Sequence, residues 1–272
     1  MNAPSSQAND GLHADVARLA PWFHNLHLPD GTQTAPDHAL GDFPAYKWRS
    51  IAAHVPADLS GWEILDIGCN AGFYSFELAR RGGHVTAVDV NPHYLQQAQW
   101  AARQYGLEAN ITFKQMQLYA LARESGSYDL VWFMGVLYHL RYPLLALDIV
   151  RCKVRGIMVF QTMTMPGDDV LTMPTDLGLF ERELMQEPGW PKMAFIEHRL
   201  AGDPTNWWAP NHACVEALLR ASGFRINSRP TDETYLCTPD DDDPQGYASM
   251  RNCELDAVIA ETSNTELTCS QR

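Results

Sequence analysis

The stretch ILDIGCNAGFYSFELARRGGHVTAVDVNP, from Ile64 to Pro92, decides the fold. It has the pattern of an apolar strand, a turn with two glycines, a helix and a second apolar strand. Gly68 and Gly72 can adopt positive φ and admit a close ligand, and Asn70 between them also tolerates the left-handed region. The helix that follows is expected to offer unpaired backbone N–H groups at its start. The pattern predicts a βαβ unit that binds a ligand where its strands end.

Two aspartates indicate which ligand the turn binds. Asp66 directly precedes the turn, and Asp89 ends the second strand 23 residues later, a spacing that suits an acid accepting both ribose hydroxyls. A dinucleotide fingerprint would place a third glycine where Phe73 stands, so a nucleoside attached to a cationic amino acid fits better than a diphosphate. S-adenosylmethionine is such a ligand. In the alternative interpretation, the glycines only allow helix–strand packing, and Asp89 caps the helix that Pro92 opens.

The chain around this unit alternates strands and helices, which predicts a parallel sheet covered by helices on both faces. The predicted strands of this part are Glu63–Ile67, His84–Val90, Ile111–Lys114, Tyr128–Met134 and Gly156–Gln161. The predicted helices are Phe73–Arg81, Pro92–Tyr105 and Tyr142–Val150. Further on we expect a helix at about Asn211–Ser222, closed by Gly223. Two strands follow it, at Phe224–Ser228 and at about Glu254–Ala260. The predicted fold class is α/β, with a Rossmann-like sheet.

The composition changes along the chain and suggests its organisation. Residues 1–20 are small and polar and are expected to form a flexible start. Residues 21–55 are an aromatic-rich cap segment with too many prolines and glycines for one long helix. The core is expected over 56–261, with an irregular insertion at about 162–210 that covers the site, followed by a polar tail at 262–272.

The overall composition argues against several classes of protein. Apolar residues make up 46% and charged residues 19%, which suits a full core rather than a disordered chain. No apolar run approaches the roughly 18 residues of a membrane span, and the start lacks a signal-peptide pattern. Six scattered cysteines without a Cys-x-x-Cys pair suggest a reducing cytoplasm. The net charge of −13, with four lysines among 20 basic residues, weakens nucleic acid as a partner, although a local arginine patch would escape this argument.

A later segment, FMGVLYHLRYPLLAL (Phe133–Leu147), resembles the Met-Gly-Val-Leu-Tyr-His segment of a known family. With the glycine turn, and more loosely with NWWAPN and GYASMR further on, it makes the chain similar to class I S-adenosylmethionine-dependent methyltransferases. The narrower resemblance, over about Trp48–Ala260, is to tRNA wobble-uridine carboxymethyltransferases and their shorter relatives. It implies a seven-stranded sheet with a reversed last hairpin and a ligand across the carboxyl ends of the strands.

The same resemblance implies roles for individual residues. The residues implied for the cofactor, from its methionine end through the ribose to adenine, are Asp66, Gly68, Asn70, Gly72, Asp89, Gln117 and Leu118. The floor near the sulfonium is implied to consist of Met134, Gly135 and Tyr138.

The resemblance leaves the donor open between S-adenosylmethionine and carboxy-S-adenosylmethionine. In the carboxymethyltransferases a lysine, a tyrosine and an arginine hold the extra carboxylate; Tyr138 matches the tyrosine, and Arg251 is the expected counterpart of the arginine. The lysine has no counterpart in the corresponding segment LPDGTQTAP (Leu28–Pro36), and a buried carboxylate that lacks one cation is costly. The first hypothesis is therefore methyl transfer to a small-molecule acceptor. The second is carboxymethyl or methyl transfer to a tRNA wobble uridine, and the third is a non-catalytic nucleoside-binding subunit.

The residues expected near the acceptor come from the mouth of the fourth strand and from segments that flank the core. His139 is the candidate base because an imidazole titrates near neutrality, and Tyr138 packs over the sulfonium or positions the acceptor. In an equally weighted interpretation, His139 only hydrogen-bonds backbone at a helix start. The acceptor-side candidates are Trp22, His24, Arg141, Asn206, Trp207 and Arg251. No metal site is predicted, because no His or carboxylate pair has ligand spacing.

Overall fold

The computed structural model describes residues 6–242 and 247–260 and is built on one seven-stranded sheet. Two helices precede the sheet, α1 (Ser6–Arg18) and α2 (Ala45–Ile51). The first half of the sheet region consists of β1 (Glu63–Ile67), α3 (Phe73–Arg80), β2 (His84–Asp89), α4 (Pro92–Tyr105) and β3 (Ile111–Gln115). The second half consists of β4 (Tyr128–Met134), α5 (Pro143–Arg151) and β5 (Val154–Gln161). The remaining elements are β6 (Met193–Phe195), β7 (Trp208–Pro210), α6 (His212–Ala221), β8 (Phe224–Thr231), β9 (Thr234–Pro239) and α7 (Tyr247–Ile259).

The strand order places a ligand site at the centre of the sheet. The order is β3-β2-β1-β4-β5-β9-β8, in which β1 to β5 are parallel and β9 is antiparallel to both β5 and β8. The direction of chain progression therefore reverses between β1 and β4, and open α/β sheets bind ligands at such a point. The predicted seven-stranded sheet with a reversed last hairpin is confirmed.

The strand predicted at about Glu254–Ala260 is wrong. That segment belongs to α7, and the last strand is β9, which the sequence analysis did not identify. On α7 the least exposed positions are Ala248, Arg251, Leu255 and Ile259, which recur every three or four residues as they do on one face of a helix. Leu255 and Ile259 pack on the core below the sheet, so the apolar period is that of a helix and not of a strand.

The N-terminal segment also differs from the flexible start that its composition predicts. Residues 6–18 form α1, and Leu12 and Val16 of this helix pack against the core. The Gln97 side chain of α4 donates from Nε2 to the carbonyl oxygen of Leu19 at 2.7 Å, which fixes the end of the segment. Polar residues fill the outward positions and dominate the composition, whereas a few apolar residues at helical spacing anchor the helix.

The cap segment and the insertion cross the carboxyl end of the sheet. The cap contains α2 and no single long helix, as predicted, and the insertion contains a short 3-10 helix at Arg182–Gln186 and the short pair β6–β7. The backbone N–H of Trp207 donates to the carbonyl oxygen of Tyr138 at 2.9 Å, which joins the insertion to the mouth of β4. Residues 1–5 and the predicted polar tail at 262–272 lie outside the described residues. Among the helices of the described ranges, none combines the length and the apolar character needed to cross a bilayer.

Candidate functional site

A cavity of about 770 Å³ lies at the carboxyl ends of β1, β2 and β4. Its volume is in the range of small-molecule sites in proteins, roughly 300–1,000 Å³. The predicted site residues that line this cavity are His24, Asp66, Gly68, Asn70, Asp89, Gln117, Leu118, Met134, Gly135, Tyr138, His139 and Arg141. The fold therefore brings the two aspartates, the turn between β1 and α3 and the mouth of β4 into one space.

The turn between β1 and α3 adopts the backbone conformation that its sequence predicts. The φ angles are +73° at Gly68, +50° at Asn70 and +90° at Gly72, so all three residues lie in the left-handed region. A Cβ at Gly68 would overlap the side chain of Val136, and both of these residues line the cavity. Gly72 is different: it does not line the cavity, and a Cβ there would lie 2.6 Å from Phe76 Cζ. The cofactor role implied for Gly72 is corrected to helix packing.

The backbone N–H groups of the turn itself are paired within the protein. The N–H groups of Gly68 and Cys69 donate to the carbonyl oxygen of Val88 at 2.8 and 3.1 Å. The Asn70 N–H donates to Asp89 Oδ2 at 2.9 Å, and the next two N–H groups also have partners inside the turn. A diphosphate needs a row of free donors at this position. Their absence from residues 68–72 disfavours a dinucleotide and leaves the two carboxylates as the main polar groups.

Asp89 is oriented by backbone groups on both sides. Its Oδ1 accepts from the Asn91 N–H at 2.8 Å, and its Oδ2 accepts from Asn70. Burial raises the pKa of Asp89, while these N–H groups lower it. Each carboxylate oxygen keeps a second lone pair toward the cavity, as a ribose diol requires. Asn91, whose Oδ1 accepts from the His93 N–H at 3.0 Å, is the actual cap of α4, so the capping role considered for Asp89 belongs to Asn91.

Asp66 is a buried acid without a cationic partner in the described part of the chain. Its side chain is almost fully buried, and Oδ2 accepts from Ser75 Oγ at 2.5 Å. Burial raises the pKa of Asp66 to about 7; the Ser75 hydrogen bond opposes this shift, and the nearby Asp89 charge adds to it. A carboxylate in this position is under-compensated, and a ligand cation beside it would favour the charged form.

The floor of the cavity is formed where β4 and β5 end. Gly135 has a φ of +72°, and a Cβ added there would lie 3.8 Å from Tyr138 Oη and 3.9 Å from Gln161 Oε1. Burial raises the pKa of Tyr138 to about 12, so its hydroxyl stays protonated near neutrality. Gln161 was not identified from the sequence, although it is the last residue of a strand that ends at the same edge.

His139 belongs to a chain of hydrogen bonds that reaches into the insertion. Thr205 donates from Oγ1 to Asp203 Oδ1 at 2.7 Å, and His139 Nδ1 lies 2.9 Å from Thr205 Oγ1. The single hydroxyl proton is given to the carboxylate, so Nδ1–H must be the donor to Thr205 and Nε2 keeps its lone pair. Burial lowers the pKa of His139, which also favours the neutral ring. The arrangement is suited to a base and was not foreseen, because Asp203 and Thr205 are distant in sequence.

The other acceptor-side candidates separate into two groups. His24 lines the cavity, is buried, and has a pKa lowered to about 3 by burial, so it is a neutral ring; its Nδ1 has no hydrogen-bond partner among the described residues. Arg141 also lines the cavity and packs on the Trp207 ring, with 4.4 Å from Cζ to the ring centroid. The candidates that do not line this cavity are Trp22, Asn206, Trp207 and Arg251.

Contacts elsewhere in the structure explain why three of these candidates do not line the cavity. Trp22 packs on Trp100 and donates from Nε1 to the Val16 carbonyl oxygen, so it anchors the N-terminal segment. Asn206 is buried and donates from Nδ2 to the Leu200 carbonyl oxygen within the insertion. Arg251 lies on α7 beside Gly223, at the end of α6, and not among the residues of the cavity. This position does not favour its implied role as a carboxylate ligand, which stays a prediction.

Comparison with known proteins agrees with this site. Residues 64–151 match the protein family described as a methyltransferase domain. The tRNA U34 carboxymethyltransferase of Alcanivorax borkumensis is 34% identical over 179 residues, which cover 62% of this chain and 52% of that protein. The protein of the same name from Shewanella piezotolerans is 31% identical over 211 residues, covering 68% of this chain and 63% of that protein. The chain thus spans between about half and just under two thirds of the length of these relatives.

Solved structures with the same fold include proteins named as methyltransferases. The N-terminal domain of EvdMO1, in the presence of SAH and D-fucose, has a TM-score of 0.60 at 18% identity, covering 87% of this chain and 100% of that one. A putative S-adenosylmethionine dependent methyltransferase from Listeria monocytogenes has a TM-score of 0.54 at 18% identity, covering 72% and 99%. Residues 64–151 therefore resemble a methyltransferase domain, and the seven-stranded sheet has the fold of these solved structures. The under-compensated Asp66 and the two available lone pairs of Asp89 fit the cation and the ribose of S-adenosylmethionine.

One cation of this site was missed by the sequence analysis. Lys47 of α2 lines the cavity and is partly buried, and its Nζ lies 5.7 Å from the Phe43 ring centroid. Burial lowers the pKa of Lys47, and the charge of Glu233 opposes this effect. No ion pair of Lys47 occurs within the described ranges. Lys47 has no recognisable signal in the sequence, because it lies outside the segment Leu28–Pro36 that corresponds to the lysine motif of the carboxymethyltransferases.

Proposed function

We propose that the chain catalyses methyl transfer from S-adenosylmethionine to an oxygen or nitrogen of a small-molecule acceptor. The observation that carries the proposal is a single cavity that runs from the Asp89 carboxylate past Asp66 to the Tyr138 hydroxyl. These three groups suit the ribose, the cationic methionine end and the methyl side of the cofactor.

The residues of the chain bind and orient the cofactor in this proposal. Asp89 accepts hydrogen bonds from the ribose hydroxyls, and Gln117 and Leu118 lie beside adenine. Asp66 compensates the positive charge of the methionine end, and Tyr138 covers the methyl side. When bound, S-adenosylmethionine supplies an already activated methyl group, so the protein mainly aligns the acceptor and excludes water.

His139 accepts the proton that the acceptor loses. The Asp203–Thr205–His139 hydrogen bonds present a neutral imidazole with an unprotonated Nε2, which is the state that a base needs. Tyr138 stays protonated and donates a hydrogen bond rather than abstracting a proton. A small acceptor is favoured over tRNA because of the net charge of −13 and the scarcity of lysine.

Titration calorimetry with S-adenosylmethionine tests the cofactor assignment. Replacing Asp89 with alanine removes two charge-assisted hydrogen bonds, and we expect the Kd to rise by about tenfold or more. Asp256→Ala, an exposed aspartate on α7, is the matched control and is expected to bind like the wild type. Equal affinity of the Asp89 variant and the control would contradict the ribose assignment.

A second candidate function is carboxymethyl transfer to a tRNA wobble uridine from carboxy-S-adenosylmethionine. Two observations favour it: Lys47 brings into the cavity a cation that the sequence analysis did not find, and the curated relatives are named as tRNA U34 carboxymethyltransferases. Native mass spectrometry of the purified protein separates the two donors by the mass of the retained ligand. The first proposal predicts S-adenosylmethionine or its demethylated product, and retention of the carboxylated donor would reverse the ranking.

A further inference from the structure

A second chamber of about 490 Å³ adjoins the cofactor cavity. It lies between α2, the segment that follows β5 and the turn that joins β8 to β9. The nearest part of α2 contributes Lys47 and Ser50, the segment after β5 contributes residues 164–168, and the hairpin turn contributes residues 231–234. None of the cofactor assignments above uses this chamber.

The two spaces meet at the reacting end of the cofactor cavity. Lys47 and Gln161 line both of them, whereas Asp89 and the adenine-side residues line only the larger one. Gln161 donates from Nε2 to Glu233 Oε2 at 2.8 Å, and its Oε1 is directed toward Gly135 and Tyr138 Oη. A molecule in the second chamber therefore reaches the floor where the methyl group is expected.

Glu233 holds this junction in one geometry. Its Oε1 accepts from the Thr164 backbone N–H at 3.0 Å, while its Oε2 is engaged by Gln161. The Glu233 carboxylate thus links the β8–β9 turn both to the end of β5 and to the segment that follows β5. Glu233 therefore holds the junction through hydrogen bonds to two segments, the end of β5 and the residues after it.

The lining of the second chamber combines apolar side chains with hydroxyl groups and has an excess of acidic groups. The carboxylates are those of Asp168, Asp232 and Glu233, and the basic groups are Lys47 and the imidazole of His212, which lies 3.4 Å from Asp168. Asp168 is already paired with Arg229, at 2.8 Å between Oδ1 and Nη2. Carboxylates accept hydrogen bonds from hydroxyl groups strongly and repel phosphates. The chamber is thus suited to an uncharged molecule with several hydroxyl groups and unsuited to a phosphorylated one.

We propose that this second chamber binds the acceptor and that the acceptor is a small, uncharged polyol, such as a monosaccharide or a cyclitol. The reacting hydroxyl lies at the junction, where Lys47 donates a hydrogen bond to its oxygen and Gln161 accepts one from a neighbouring hydroxyl. This inference rests on the proposed methyl transfer, which it deepens by naming the class of substrate.

The test blocks the chamber without touching the cofactor cavity. Ser50 is exposed on α2 and lines only the chamber, so Ser50→Trp fills part of the space at little cost to the core. Ala53→Trp, an exposed position that follows α2 and lines neither space, is the matched control. Wild type and both variants are assayed for S-adenosylhomocysteine formation with a panel of neutral monosaccharides and cyclitols, with ribonucleosides and with a tRNA transcript. Calorimetry gives the S-adenosylmethionine Kd of each protein.

We expect turnover with at least one neutral polyol, and a kcat/KM for it that is at least about tenfold lower in Ser50→Trp. The control and the cofactor Kd should stay near the wild-type values. Equal kcat/KM in both variants would overturn the location, and turnover with none of the polyols, or with tRNA alone, would overturn the substrate class. If the wild-type protein does not bind S-adenosylmethionine in calorimetry, the proposed function itself is contradicted. A failure of the substrate proposal alone leaves cofactor binding intact, so the two outcomes are distinguishable.

Discussion

The two halves of the site are assembled in different ways. The cofactor half comes from the ends of two neighbouring strands and the turn between them, with Asp66 and Asp89 in one short stretch of sequence. The acceptor half combines α2, the end of β5, the insertion and the β8–β9 turn, which are far apart along the chain. The first half is fixed by local backbone geometry, and the second depends on how distant segments fold over the sheet. In the proposed function, we therefore expect the first half to decide which cofactor binds and the second half to decide which acceptor is modified.

The largest expected effect concerns His139, which lines the cofactor cavity at the mouth of β4. Replacing it with alanine removes the proposed base, and we expect kcat to fall by about 100-fold, since a positioned base contributes roughly 10²–10⁴. The S-adenosylmethionine Kd, measured by calorimetry, should remain near the wild-type value. Unchanged turnover would assign His139 a structural role at the mouth of β4.

The two glycines of the turn allow a sharper comparison within the cofactor half. Gly68→Ala and Gly72→Ala both place a side chain at positive φ, and we expect each to lower the free energy of unfolding by about 1–3 kcal/mol. In Gly68→Ala the new methyl group also displaces Val136 into the cavity, so only this variant should bind the cofactor more weakly. Denaturant unfolding and calorimetry measure the two effects. If both variants lose cofactor affinity equally, Gly72 contributes to cofactor binding and not only to helix packing.

A smaller effect is expected from pH. Burial raises the pKa of Asp66 to about 7, so in the protein without ligand the Asp66 carboxyl group is largely protonated below that pH. A cationic ligand favours the carboxylate, so S-adenosylmethionine affinity should rise several-fold between about pH 5.5 and 7.5 and then level off. Asp66→Asn should remove most of this dependence. Affinity that is flat or falls with pH in the wild type would contradict the role of Asp66.

The comparison also explains what could be predicted from the sequence. The strands at Glu63–Ile67 and Tyr128–Met134 and the helix at Pro92–Tyr105 were predicted with their observed bounds, because apolar period, proline and glycine signals all agree there. The glycine turn and both aspartates were placed correctly for the same local reason. The pairing of the turn's own N–H groups was not predicted, since donation to Val88 depends on the pairing of β1 with β2.

The rest required the three-dimensional fold. Lys47 and Asp203 reach the cavity only because the cap and the insertion cross the same edge of the sheet. Arg251 was assigned by the loose resemblance of GYASMR alone, and residues 247–251 of this segment form the first turns of α7, away from the residues that line the cavity. Single residues from irregular segments have no periodic signal, so their positions follow from tertiary packing alone.

A crystal structure of the protein with S-adenosylhomocysteine tests the central claim most directly. The account predicts that both ribose hydroxyls lie within hydrogen-bonding distance of Asp89, with adenine beside Gln117 and Leu118 and the sulfur facing Tyr138. It also predicts that the chamber beside Lys47 and Gln161 stays open to the sulfur. A ligand bound elsewhere, or an adenosine whose ribose does not contact Asp89, would contradict the account.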